Sequence, residues 1–296
     1  MSSYENMTFL NEYLKSLYGC KVYKLALSAD VTCPNRDGTL SDKGCTFCSS
    51  GGSGEFAANR LIPISDQISE AKKQVSQKIK NGKYIAYFQS FSNTYAPIPY
   101  LRKIYYEAIQ PKDIVILSIG TRPDCLSDDV ISLLAEVNHI KPVWVELGLQ
   151  TIHEASSEKI NRCYPLSVYD DAVSRLKAAD IDVVTHVILG LPGETEEMML
   201  ETVKYVAGSG VFGIKLHLLQ ILEGTAMAEE YAKGNVPVMT LSEYADLIKK
   251  AVSLIPDNIV IHRLTGDGPK NILVAPSWSG DKKKVLNTLK QALNLP

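Results

Sequence analysis

Short runs rich in β-branched and aromatic residues recur along the chain at Val22 to Leu27, Tyr84 to Phe88, Ile114 to Ile119, Val143 to Leu149, Val183 to Leu189 and Phe212 to Leu219. Between them apolar residues return at spacings of three and four, as in Ile68, Ala71, Val75 and Ile79, or Leu241, Tyr244, Ile248, Ala251 and Val252. The runs predict strands, and the spacings predict helices with one apolar face. Six strand-then-helix units in series predict an α/β fold with a parallel sheet and helices packed outside it. Eight units would close a barrel, so six fit a partial (β/α)6 TIM-like barrel or a doubly wound sheet.

Alternation within the strands says which face is unusual. Val143, Val145 and Leu147 share one face of the fourth strand, while Trp144, Glu146, Gly148 and Gln150 share the other. In the sixth, Ile214, Leu216 and Leu218 oppose Lys215, His217 and Leu219. Buried parallel strands normally read apolar on both faces, so the polar positions predict a cavity at the carboxyl end of the sheet.

One segment breaks the rhythm. From Ser28 to Pro63, about 35 residues join the first strand to the first predicted helix, where two to six are usual. This organises the chain as an N-terminal extension over residues 1–20, a barrel over 21–255 carrying the long loop 28–63, and a C-terminal extension over 256–296. That extension holds the run Ile259 to Ile261, then an amphipathic segment from Val285 to Leu293.

Composition narrows the class. The chain has 296 residues, 45% hydrophobic and 22% charged, which excludes global disorder and gives length enough for a large core without disulfides. No apolar stretch approaches a membrane span, and the first residues lack the basic-then-apolar pattern of a signal peptide. A cytoplasmic protein with no membrane partner is therefore expected, its thiols reduced. With 31 Lys plus Arg against 33 Asp plus Glu, nothing points to DNA; the basic cluster Lys282, Lys283, Lys284 and Lys290 reads as a solvated face.

Three of the six cysteines, Cys33, Cys45 and Cys48, fall in the long loop, spaced by eleven residues and then two. Clustered thiols in a reducing compartment select a soft metal centre. Zinc ordinarily wants four ligands, and the five histidines begin only at His139. A [4Fe-4S] cube held by three thiolates keeps one iron open for a small-molecule chelator. Iron–sulfur is the leading reading, with zinc or inert thiols as alternatives.

The stretches Cys33–Gly38 (C-P-N-R-D-G) and Gly44–Cys48 (G-C-T-F-C) resemble the cluster loop of radical S-adenosylmethionine (radical SAM) enzymes. The spacing between the first two cysteines is longer than in the commonest form. It is similar to the branch containing the elongator catalytic subunit and oxygen-independent coproporphyrinogen oxidase, and within it to the YtqA/YhcC-like family. Further motifs carry the resemblance along the chain: Y-F-Q-S-F-S-N-T-Y from Tyr87, G-T-R-P-D from Gly120, E-L-G-L-Q-T from Glu146, G-L-P-G-E-T from Gly190 and H-R-L-T-G-D-G-P from His262.

The resemblance implies that Cys33, Cys45 and Cys48 ligate a [4Fe-4S] cluster whose fourth iron is chelated by S-adenosylmethionine, and that a 5′-deoxyadenosyl radical takes hydrogen from substrate. It implies an external electron donor such as flavodoxin or ferredoxin. Phe47 would lie near the adenine or anchor the loop. Gln89, Ser90 and Asn93 would bind the cofactor's amino group, with a turn role as the plainer alternative for Asn93. Glu146 and Gln150 would contact cofactor or substrate. Ser118 and Arg122, ending the third strand, and Arg162 would complete the cofactor contacts, unless Arg162 is a surface residue. His186, Lys215 and His217 would meet substrate, unless the histidines merely fill the core. Kinship with elongator-type proteins implies a wobble uridine of tRNA as substrate, in a 5-methylaminomethyluridine-type pathway. The rival readings are radical chemistry on a small or porphyrin-like molecule, and a non-catalytic iron–sulfur or zinc protein.

Overall fold

The computed structural model describes residues 7–295 except 53, 55, 77–81 and 267; Ile79 and Asp267, named above, lie outside the described residues. The six expected strands form as β1 (Val22–Leu27), β2 (Lys83–Phe88), β3 (Ile114–Thr121), β4 (Val143–Gln150), β5 (Asp182–Leu189) and β6 (Gly213–Leu218). Helices α1 (Leu10–Tyr18), α2 (Ile64–Val75), α3 (Ile98–Ile109), α4 (Asp128–Asn138), α5 (Glu154–Lys159), α6 (Leu166–Ala178) and α7 (Glu196–Gly208) precede and separate them. After β6 come β7 (Ile221–Leu222), α8 (Ala226–Ala232), α9 (Leu241–Ser253), β8 (Val260–Arg263), β9 (Leu273–Ala275) and α10 (Lys282–Ala292).

The sheet is one strand wider than the sequence pattern predicts. β1 to β6 pair in chain order, all parallel, and β8 adds to β6, with Ile214 opposite Ile261. The run assigned to the C-terminal extension is thus part of the barrel wall. Four residues are too few for a periodicity to show, which is why the run reads only as a short β-like stretch. β7 and β9 form a separate antiparallel pair just past the end of β6.

The sheet curls into a partial barrel. Laid flat, β1 and β4 would stand about 14 Å apart, yet Lys24 of β1 and Lys215 of β6 both reach Glu146 of β4. The outward faces of the strands meet the helices in the main core, where Val143, Val145 and Leu147 lie beside Leu134, Tyr169 and Leu176. The inner faces are layered. Val22, Ile85, Ile116, Trp144 and Val184 make an apolar floor, sealed by Leu14 of α1. Two residues further along the same strands stand Lys24, Tyr87, Ser118, Glu146 and His186. α1 touches both edge strands, and Thr8 O accepts from Ile261 N at 2.8 Å, so the N-terminal segment bridges the open side of the barrel at its base. Among the described residues no helix is long and apolar enough to cross a membrane.

Candidate active site

The polar layer centres on one carboxylate. Glu146 is 1% exposed and accepts from Lys24 Nζ at 2.7 Å, Ser118 Oγ at 2.7 Å, His186 Nε2 at 2.8 Å and Lys215 Nζ. Burial opposes its charge, but Lys215, Lys24 and His186 outweigh that penalty and hold it well below the usual carboxylate range. Burial, reinforced by Lys215, pulls His186 down to about 4. A neutral imidazole facing an ionised carboxylate must donate, so the proton sits on Nε2 and Nδ1 is left as an acceptor. The His217 ring lies 5.1 Å from that of His186, and its buried Nε2 has no partner. Tyr87 completes the layer, its ring beneath both ammonium groups at 4.7 Å.

The layer combines five residues expected at the site with two that were not, Lys24 and Tyr87. Ser118 sits two residues inside the barrel from Gly120, on Glu146. Lys24 carried a legible signal: it lies between Val22 and Ala26 on one face of a strand in an otherwise buried sheet, and a lysine there needs a partner. Lys24 also borders a recess of about 380 Å3 beside edge strand β1, shared with Phe56, Asn59, Glu70 and Gln74. A larger surface groove of about 650 Å3, lined by Tyr106, Ile109 and Ile140, lies by the turns that enter β3 and β4, at the opposite end of the strands from this chemistry.

Further along, the inner wall turns small. Gly120 and Gly148 face inward above Ser118 and Glu146. A Cβ on Gly120 would stand 3.2 Å from Phe88 O, and one on Gly148 would strike Gln150 Nε2 at 2.6 Å. Gln150, with φ of 66°, folds back over Gly148 and leaves its buried Oε1 without a partner. Asn93 donates from both its backbone and its side chain to Gly120 O, and its buried Oδ1 is likewise unpartnered. Ser90 Oγ lies 3.3 Å from Ser28 Oγ. Gln89 stands beside Ser90, partly exposed. These turns surround the mouth with unused acceptors.

The cysteine loop closes over that mouth. It is tied to the loop after β2, the end of α5 and the start of α8: Ser92 N donates to Thr32 O at 3.3 Å, Thr46 N to Ile160 O at 3.0 Å and Met227 N to Thr46 O at 2.9 Å. Arg36 donates to the carbonyls of Cys48 and Ser49 at 2.8 and 2.6 Å, holding the turn that carries the last two cysteines. Phe47 packs in a satellite apolar cluster with Ile160, Leu191 and Met227, the anchoring position. Gly52 and Gly54 allow the loop to lie directly on Phe91 and Ser90, since a Cβ on either would collide with those side chains.

Arg122 and Arg162 frame Tyr164, their guanidinium carbons 5.0 and 4.6 Å from its ring. Arg162 is 1% exposed and donates to Tyr164 O, Leu149 O and Thr151 O, so it lies far from the surface position that a connecting segment suggests. Arg122 pairs with Asp124 at 2.6 Å and donates to Arg162 O at 3.0 Å.

The donor set suits a cubane. The thiol of Cys45 is pushed up to about 12 by burial and by Cys48 and Cys33, against Arg122 and a hydrogen bond donated by the Asn35 side chain. Crowded thiols of this kind are unfavourable as thiolates until a cation takes them. Among the described residues no three His, Cys, Asp or Glu converge on a single-ion site. A cubane does not ask for that convergence, because each thiolate binds a different iron.

Comparison with known proteins agrees. The model of the Radical SAM superfamily matches residues 33–206, and that of the Radical_SAM C-terminal domain matches 211–294. The chain is 45% identical to YtqA of Bacillus subtilis over 96% of its length and 88% of that protein. It is 35% identical to YhcC of Escherichia coli over 94% of its length and 89% of that protein. Over 178 residues, 59% of this chain and 32% of the relative, it is 28% identical to a tRNA uridine(34) acetyltransferase of Methanocaldococcus jannaschii. Among solved structures, Elp3 of Methanocaldococcus infernus superposes with a TM-score of 0.69 at 18% identity, over 91% of this chain and 63% of Elp3, a likeness of fold. On the family match and the near full-length relatives, the chain belongs to the radical SAM superfamily of enzymes.

Proposed function

We propose that this enzyme modifies the 5-substituent of a wobble uridine in tRNA, with Cys33, Cys45 and Cys48 as ligands of its cluster. A [4Fe-4S] cluster and SAM are the cofactors of the family; together they supply a carbon-centred radical that removes hydrogen from substrate. Gln89, Ser90, Asn93 and Gln150 line the mouth where SAM is held, and Arg122 and Arg162 buttress it through Tyr164. Glu146 stays ionised and keeps Lys24, Lys215 and His186 in place. His186 Nδ1 and His217 Nε2 offer the substrate two hydrogen-bonding positions at fixed geometry. The apolar floor below them excludes water from the reacting end. Radical SAM enzymes need a reductant, and an electron carrier such as flavodoxin or ferredoxin fills that place.

The observation that carries the catalytic part is the polar layer around Glu146, reached through a glycine-lined wall beneath the cysteine loop. The uridine rests on the resemblance to the tRNA uridine(34) acetyltransferase. After anaerobic reconstitution the chain should hold about four irons and release 5′-deoxyadenosine from SAM with dithionite. Replacing any one of Cys33, Cys45 or Cys48 with Ala should abolish that release, and a variant that keeps wild-type turnover would remove its cysteine from the ligand set. Nucleoside mass spectrometry of tRNA from a deletion strain should show an altered wobble uridine. An unchanged profile would exclude tRNA as substrate and leave the cofactor chemistry standing.

A further inference from the structure

Asn35 is two residues past Cys33 and wholly buried. Its Nδ2 lies 3.4 Å from Cys45 Sγ and 2.6 Å from Asn161 O, and its backbone carbonyl accepts from Gly44 N at 2.6 Å. The Asn161 carbonyl is acceptor-only, so it fixes the amide orientation: nitrogen, with its two hydrogens, faces both carbonyl and sulfur. Asn161 answers from the other side, donating from Nδ2 to Gly44 O at 2.7 Å and Ser41 Oγ at 3.2 Å. It holds φ of 53°, a left-handed conformation that Asn tolerates better than most residues. The two asparagines thus clasp the chain on either side of Cys45, one through the sulfur and one through the preceding backbone.

We propose that Asn35 is a positioning residue that raises the reduction potential of the cluster by donating a hydrogen bond to the Cys45 sulfur. Reduction adds an electron whose charge spreads onto the sulfurs, and a donor aimed at one of them stabilises the reduced form more than the oxidised. The donor is buried and held by a second acceptor, so water does not replace it. This rests on the reading of Cys45 as a ligand.

The test is an EPR-monitored redox titration of the reconstituted holoenzyme, with iron counted for each sample. Iron in the wild type and its loss in Cys45→Ala support the ligand reading; a wild type without iron, or an unaffected Cys45→Ala, overturns that reading and this proposal with it. Asn35→Ala should shift the reduction equilibrium roughly tenfold toward the oxidised form, about 59 mV lower for a one-electron couple. Asn35→Leu, similar in shape and without any donor, should lower the potential by a similar amount. Asn161→Gly keeps the carbonyl that orients Asn35 and loses the side-chain clasp, so it should load less iron at an unchanged potential. Loaded Asn35→Ala or Asn35→Leu cluster titrating at the wild-type potential would overturn the proposal. If Asn35→Ala does not load, Asn35→Leu decides alone.

Discussion

Four donors from β1, β3, β5 and β6 meet on the single carboxylate of Glu146, so one residue fixes the relative positions of five strands. Burial and the neighbouring Lys215 keep His186 neutral in that layer, against the pull of Glu146. The lowered folded value of about 4 means that the unfolded chain binds the proton first as pH falls. The stability this histidine contributes is therefore complete above about pH 6.5 and drains away as pH drops toward 4, up to about 3 kcal/mol in all. Urea denaturation of the cluster-free chain at pH 7, 6 and 5 should show that slope, and His186→Gln should make it shallower, the buried His217 and His262, both held below the usual histidine range, keeping the remainder. Equal slopes in both proteins would mean that His186 is not held neutral.

At this scale the strand alternation exposes Glu146, Lys215 and His217, because a polar side chain facing inward interrupts a strand that burial on both faces would make apolar throughout. It could not reveal which of them touch, since contact across the barrel depends on curl rather than on sequence spacing. Nor could it reveal Asn35, whose partners lie ten and 126 positions away.

Among the elements, the strands are legible in the sequence for a physical reason: each of β1 to β6 is an apolar-rich run of strand length, bounded by polar or glycine-containing turns. Five of the helices owe their starts to side chains. Ser127, Thr195, Thr225 and Asp281 accept from backbone amides at the first turns of α4, α7, α8 and α10, and Thr240 forms a full capping box with Glu243 at α9. Thr240→Ala should cost about 1 kcal/mol. Because α9 lies against α7 and α10 on the outside of the barrel, iron loading of the folded variant should match the wild type. Thermal melting beside an iron assay checks both, and a loss of loading in a fully folded variant would show that the helix reaches the site. What the pattern could not supply was β8, too short to show a period and identified only by its partner β6.

The whole molecule separates its duties by height along the strands. The base is closed by α1 and an apolar floor, the middle carries charge, and the top carries the cysteine loop. Leu14 is the plug, 2% exposed among Val22, Ile85, Ile116, Trp144 and Val184. Leu14→Ala should destabilise the chain by about 2–5 kcal/mol, read from the urea midpoint. A change below about 1 kcal/mol would mean that the floor closes without α1. The charge balance of the chain foretold none of this layering, because net charge averages over a surface while the cations that matter here are few and inside.

The ties from the cysteine loop to Ser92, Ile160 and Met227 are all protein to protein, made by backbone amides and carbonyls, and none passes through a sulfur. Small zinc domains spend most of their binding energy on folding the chain around the ion. Here the entropy of closing a long loop is already met by the barrel, so metal affinity is free to go into the centre itself. A chain stripped of its iron should therefore keep its shape, and cluster lost to oxygen should be restored by reconstitution.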